Sequence, residues 1–261
     1  VEPILLVGLD EPEVAELRGR LDRPALAYET LPRIQVDRGR LLVEHPHAMN
    51  AFVPVARVVF HAIFEDDFDF LTALALWAGP CLPNARAMMD CRLRLPCLVR
   101  ALAATRFGAM PRGYADRGTT VHAEGERVAK WGNWHCGENK VRFAESWTAT
   151  EPTLIEEYLE GEAVRIVVIG ERAWQVGMAC DGWLKSIHHP EARLMPVDAE
   201  LLDDTRRLGA YFGLEVLAVD YIVARDGSQH MLEVNHIPNV TVFPEIRAAY
   251  LDLAARWANG G

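Results

Sequence analysis

The feature that most restricts this chain is a pair of apolar strands, Val216 to Ala224 and Gln229 to Asn235, on either side of Asp226-Gly227. Asp-Gly is a preferred dipeptide for a two-residue hairpin turn. Such a turn pairs Arg225 with Ser228 and, counting outward, sets Asp220 opposite Glu233. Directly opposed residues of antiparallel strands share a face, and Asn235, two residues beyond Glu233, joins them. Two carboxylates and an amide oxygen are thus expected on one face of strands that otherwise read LAVDYIV and HMLEVN. Opposed like charges destabilise a sheet unless a cation compensates. Hard oxygen ligands of this kind suit Mg²⁺ completed by nucleotide phosphates and water. Asp220, Glu233 and Asn235 are therefore candidate metal ligands.

The rest of the chain is arranged around that hairpin. Pro3 to Gly8 and Arg57 to Phe64 read as short buried strands, and Arg33 to His45 as a hairpin about Asp37-Arg38-Gly39. After the acids Glu65 to Asp67, a helix is expected to bury Phe68, Leu71, Leu74 or Ala75, and Ala78, ending at Gly79-Pro80. This strand and helix alternation predicts an α/β layer. Asn84 to Phe107 reads as helix interrupted by Pro96, and Pro111-Arg112-Gly113 as a break at a lobe boundary. Strands follow at 127–131 and 140–143, then Thr153 to Leu159, then a hairpin of 164–169 and 173–178 about Gly170-Glu171. A helix from about Asp198 carries Leu201, Thr205, Leu208 and Phe212 on one face, with Gly213 as its cap. A last helix carries Ile246, Tyr250, Leu253 and Trp257. Hairpins dominate the second half, which predicts α+β there.

A formal charge of −10 over 261 residues argues against a nucleic-acid partner, which would need a basic face. No apolar run reaches the ~20 residues of a membrane span, so no membrane partner is expected. Five scattered cysteines without a C-x-x-C pair fit a reducing cytoplasm better than a disulfide framework.

The segment ERVAKWGNWHCGENKVRF carries Lys130 at a strand end, then Gly132 and Gly137, then Lys140. The glycine spacing is that of a P-loop, but Glu138-Asn139 stands where Lys-Ser/Thr is required, so a Walker motif is rejected. A glycine loop still lets backbone N–H groups approach phosphate oxygens, and Lys130 would add a point charge there.

Taken in order, VAKWGNWHCGENKV, LIEEYLEGEAVRIVVIG and GLEVLAVDYIVARDGSQHMLEVNHIP resemble the ATP-grasp superfamily, in particular its glutathione-synthetase-like and ribosomal-protein glutamate ligase-like carboxylate–amine ligases. The loop K-x-G-x-x-H-x-G-x-x-K also resembles that of synapsins. The resemblance implies an α+β ATP-grasp fold, two α+β lobes gripping ATP, preceded by a small α/β domain. It divides the chain into 1–84, 85–157 with the glycine loop, and 158–261 with the metal hairpin. It further implies that Lys130, Gly132, His135 and Gly137 meet the phosphates, that Glu156 accepts from the adenine amino group, and that the backbone of Glu157, Tyr158 and Leu159 bonds the ring edge. Glu162 is then the candidate for the ribose hydroxyls and Arg165 the stabiliser of the transferring phosphoryl group. Asp220, Glu233 and Asn235 would hold two Mg²⁺ ions, with Mn²⁺ as an alternative.

Two departures from the family pattern stand out. Cys91 occupies the place of a second phosphate lysine, with Arg92 as its substitute one residue on. Ala163 stands where a ribose carboxylate is usual. The implied reaction is ADP-forming ligation of a carboxylate to an amine through an acyl phosphate, on small-molecule or peptide substrates. The alternatives are an ATP-grasp kinase and a synapsin-like ATP-binding protein. A homodimer is one assembly compatible with this reading.

Overall fold

The computed structural model describes residues 1–133 and 139–261. The chain begins with β1 (Ile4–Val7), α1 (Glu11–Arg18), β2 (Ala25–Tyr28), β3 (Ile34–Asp37), β4 (Arg40–Glu44), β5 (Phe52–Pro54), β6 (Arg57–Phe60), α2 (Phe68–Trp77) and β7 (Cys81–Leu82). Strands β2-β1-β6-β7 form a parallel sheet in that order. Every residue of β1 is buried, as expected of a strand covered on both faces. Its side chains divide by parity: Ile4 and Leu6 join a core with α1, and Leu5 and Val7 join one with α2 and the β3-β4-β5 sheet. In α2 the buried stripe is Phe70, Leu71 and Leu74, whereas Phe68 faces outward. The expected stripe was rotated because Asp67 is drawn inside, where it accepts from the Phe64 N–H and pairs with Arg92.

Next come α3 (Ala85–Arg92), α4 (Arg94–Leu102), β8 (Arg112–Ala115), β9 (Thr120–His122), β10 (Arg127–Trp131), β11 (Lys140–Phe143), β12 (Ser146–Thr148) and β13 (Thr153–Glu157). The Asn84 side chain caps α3. The helical stretch breaks at extended Leu93, not at Pro96, which sits in the first turn of α4 where its missing N–H leaves no bond unmade. Arg112-Gly113, expected as a break, opens the edge strand of the antiparallel sheet β11-β10-β13-β8.

The chain continues with β14 (Gly161–Ile169), β15 (Arg172–Gly177), β16 (Arg193–Met195), α5 (Ala199–Phe212), β17 (Val216–Ala224), β18 (Gln229–Asn235) and α6 (Pro244–Ala258). Asp198 caps α5, and Gly213 ends it at φ 75°, a conformation that only glycine adopts without cost. The buried face of α6 is broader than the expected stripe, with Ala249, Leu251, Ala254 and Ala255 beside Ile246 and Tyr250. The antiparallel sheet β16-β15-β14-β17-β18 is covered on one face by α4 and α5 through Val164, Ile166, Val168, Leu217, Val219 and Tyr221. On the other face Val167, Ile169, Val216 and Ala218 meet α6 and β1. Further along that same face, Ala163, Arg165, Asp220 and Ile222 leave the core and line a cavity.

The β17–β18 hairpin corrects the expected register. The Ala224 N–H donates to the Ser228 carbonyl at 2.8 Å, so the loop is the three residues Arg225 to Gly227, with Gly227 at φ 86°. That shifts the pairing by one, to Tyr221 with Met231. A bulge then leaves Leu232 without a partner strand residue and restores Asp220 opposite Glu233. The extra residue of the bulge cancels the extra residue of the loop.

Candidate active site

The cavity, about 810 Å³, lies where three sheets meet. The antiparallel sheet carrying the glycine loop contributes Val128, Lys130, Lys140, Glu156 and Glu157, and the five-stranded sheet contributes Ala163, Arg165, Asp220, Ile222, Leu232, Glu233 and Asn235. The parallel sheet contributes the residues just past the ends of β1 and β6, namely Gly8, Leu9, Asp10, His61 and Ile63.

Charge on these walls is balanced pairwise. Arg165 stands across the strands from Asp220 and donates from Nε and Nη2 to its two oxygens at 2.6 and 2.8 Å. Burial acts to lower the Arg165 pKa, but Asp220 outweighs it and the guanidinium ends above the ordinary arginine value. Asn235 donates to Asp220 at 3.4 Å. Lys130 and Lys140 are direct cross-strand partners, an opposition of like charges that requires anions nearby. Lys130 pairs with Glu156, and the Lys140 ammonium lies 3.7 Å from Glu233. Burial pulls Lys140 below the usual lysine range, against the opposing effect of Glu233. Lys140 was not among the expected site residues. Its signal was present in the sequence, because a lysine re-entering a strand after a short loop returns beside the one that left.

Asp220, Glu233, Asn235, Arg165, Lys130, Glu156, Glu157, Tyr158 and Leu159 all border the one cavity. Glu156 is more heavily engaged than expected, since Arg112 also donates to it at 2.8 Å, so its carboxylate serves two cations. The Tyr158 N–H donates to the Glu126 carbonyl at 3.0 Å, which removes that group from the ring contacts expected of the segment.

Glu162 falls elsewhere: it is exposed on the opposite parity of β14 from Ala163 and Arg165 and does not border the cavity. Arg92 is likewise not in the cavity wall. It is buried, pairs with Asp67, and donates to the carbonyls of Phe64 and Asn133 at 2.7 and 2.9 Å. Arg94 donates to the Trp131 carbonyl at 2.9 Å. The two arginines therefore hold the strand end from which the glycine loop departs. Gly132 begins that loop at φ 69°, while His135 and Gly137 lie outside the described residues.

The donor set fits a divalent cation. Two carboxylates from adjacent strands and the Asn235 side chain border one cavity, and the basic groups held against the carboxylates show that this spot requires positive charge.

No family model matches the chain, and no curated protein matches it in sequence. Solved structures do match over nearly the full length. D-alanyl-alanine synthetase A from Vibrio cholerae is similar with a TM-score of 0.70 at 12% identity, over 98% of this chain and 97% of that one. The macrocyclase MdnC from Microcystis aeruginosa, bound with precursor peptide MdnA, is similar with a TM-score of 0.64 at 15% identity, over 97% and 99%. The ATP-grasp ligase PsnB, complexed with minimal precursor, Mg and ADP, is similar with a TM-score of 0.64 at 13% identity, over 98% and 96%. At such identities the likeness is one of fold, and the fold is the ATP-grasp fold.

Proposed function

We propose that the protein is an ATP-dependent, ADP-forming ligase that joins a carboxylate to an amine. The observation that carries this reading is the convergence of Lys130, Lys140 and Arg165 with Asp220, Glu233 and Asn235 on one cavity. That arrangement suits phosphoryl transfer, which asks a protein for positioning and charge neutralisation more than for covalent chemistry. Lys130 and Lys140 hold the ATP phosphates against the glycine loop. Ile222 and Leu232, both in the cavity wall, supply apolar contact for the base. Asp220, Glu233 and Asn235 would hold Mg²⁺, which when bound screens phosphate charge and leaves the γ-phosphorus open to attack.

A substrate carboxylate oxygen attacks that phosphorus, the bond to the β,γ-bridging oxygen breaks, and ADP leaves an acyl phosphate. Arg165 faces the developing charge. An amine nitrogen then attacks the acyl carbon, inorganic phosphate departs, and the nitrogen loses a proton to give the amide. The precursor peptides held by two of the similar structures support a peptide as one of the substrates.

The test is ADP release from Mg²⁺-ATP against pools of amino acids, small carboxylates and carboxylate-bearing peptides, with mass spectrometry of products and Glu233→Ala as control. ADP with a condensed product, lost in the variant, supports the ligase. ADP with a stable phosphorylated hydroxyl would establish a kinase instead. Failure to bind Mg²⁺-ATP would overturn the reading entirely.

A further inference from the structure

The parallel sheet has a topological switch point. From β1 the chain passes through α1 to β2 on one side, whereas from β6 it passes through α2 to β7 on the other. The crevice outside the carboxyl ends of two such diverging strands is where open parallel sheets bind ligands. Here it opens into the cavity between Leu9-Asp10 and His61.

What stands in that crevice is selective in charge. Glu13, in the first turn of α1, borders the cavity with its side chain 8% exposed. Arg247 from α6 donates to Oε1 at 2.7 Å and turns its other arm to Glu16 at 2.8 Å. Oε2 is buried and has no hydrogen-bond partner among the described residues. A buried carboxylate oxygen left in this state is costly unless something donates to it. His61 lies beside it, its ring 4.6 Å from that of Tyr250. Burial holds the imidazole down to about 4, with Glu13 opposing, so at neutral pH it adds no charge to repel a cation. Asp10 adds a second acid to the same rim.

We propose that this crevice binds a primary ammonium group, with Glu13 Oε2 as its principal acceptor. On the ligase reading, on which the assignment to a substrate rests, the group belongs to the amine-bearing substrate. The site favours an ammonium over a hydroxyl, whose neutral donor makes a weaker hydrogen bond to Oε2 than a charged one.

The test uses propylammonium chloride as the probe, followed by saturation-transfer NMR on the full chain. N,N,N-trimethylpropylammonium, equal in charge but without N–H groups, and 1-propanol serve as comparisons. Propylammonium should bind at least tenfold more tightly than either, and Glu13→Gln, which keeps an acceptor for Arg247, should abolish the difference. Equal binding of the three probes to the unaltered protein would overturn the proposal, and that comparison needs no variant to fold. Unchanged propylammonium binding by a folded Glu13→Gln protein would overturn it too. Mg²⁺-ADP binding, measured in parallel by calorimetry, reads the nucleotide site separately. Loss of nucleotide binding with retained ammonium selectivity would refute the ligase reading and leave the ammonium site standing.

Discussion

Replacing Arg165 by methionine keeps most of the side-chain volume and removes the cation that both Asp220 oxygens share. The two side chains are 15% and 13% exposed, so the pair is largely desolvated. Breaking a buried pair by deleting one partner costs about 3–5 kcal/mol, and the residual exposure argues for the lower end. With an unfolding entropy near 2.1 cal/mol/K per residue, about 3 kcal/mol corresponds to a fall of roughly 5 °C in Tm for a chain of this length. In the variant Asp220 would face Glu233 with Asn235 and Lys140 as its remaining neighbours. Millimolar Mg²⁺ without nucleotide should then stabilise the variant more than the unaltered protein, by about 2 °C, since Arg165 no longer competes for Asp220. Differential scanning fluorimetry with and without Mg²⁺ measures both effects. A variant melting within a degree of the unaltered protein would refute the buried-pair reasoning. An equal Mg²⁺ shift in the two proteins would refute Asp220 as a metal ligand.

Three further outcomes are expected. Lys130→Met should weaken ADP binding by about tenfold in calorimetry, the contribution of one charge-assisted phosphate contact. Tyr221→Phe removes a hydroxyl 3.0 Å from both Asp204 and Thr205. Since Asp204 retains the Thr105 hydroxyl and the Arg106 N–H, each at 2.7 Å, the loss should be about 1 kcal/mol in urea unfolding. His61 has its pKa held at about 4 in the fold, against 6.5 in its absence. The unfolded chain therefore binds the extra proton first, so stability falls as pH drops from about 6.5 and the loss is complete below about 4. Subtracting the stability–pH curve of His61→Gln should isolate this contribution; parallel curves would show that the imidazole is not held neutral.

The hairpin shows how much of the site was legible in the sequence. The Asp220–Glu233 opposition was reached through a turn one residue too short and a strand read without its bulge, two errors that cancelled. Turn length follows local chemistry at Asp226-Gly227, whereas the bulge at Leu232 follows from what packs on each face, which no local pattern reports. Charge partners were equally hard to anticipate. Arg92 and Glu156 carry the chemistry expected of phosphate and base contacts, yet Asp67 and Arg112, distant in the chain, claim them. The helices were legible at their ends, with starts near Asn84 and Asp198 and a cap at Gly213. They were less so on their faces, because α6 packs against two sheets at once and buries more than one stripe.

That double packing of α6 bears on how the chain folds. Ile4, Leu6 and Val59 complete their core only with Ile246, Tyr250 and Leu251, some two hundred residues later. During synthesis one side of the parallel sheet must therefore stay only partly covered, by α1, until the strands between it and α6 have been made. Contacts of such sequence separation slow folding and prolong the exposure of sticky surface. Chains stalled before Pro244 should be cut by protease within the first sheet while the β17–β18 hairpin resists, and equal protection of both would contradict this order. The segment that seals the parallel sheet thus arrives some two hundred residues after it, and the crevice beside Glu13 comes into being only when Arg247 does.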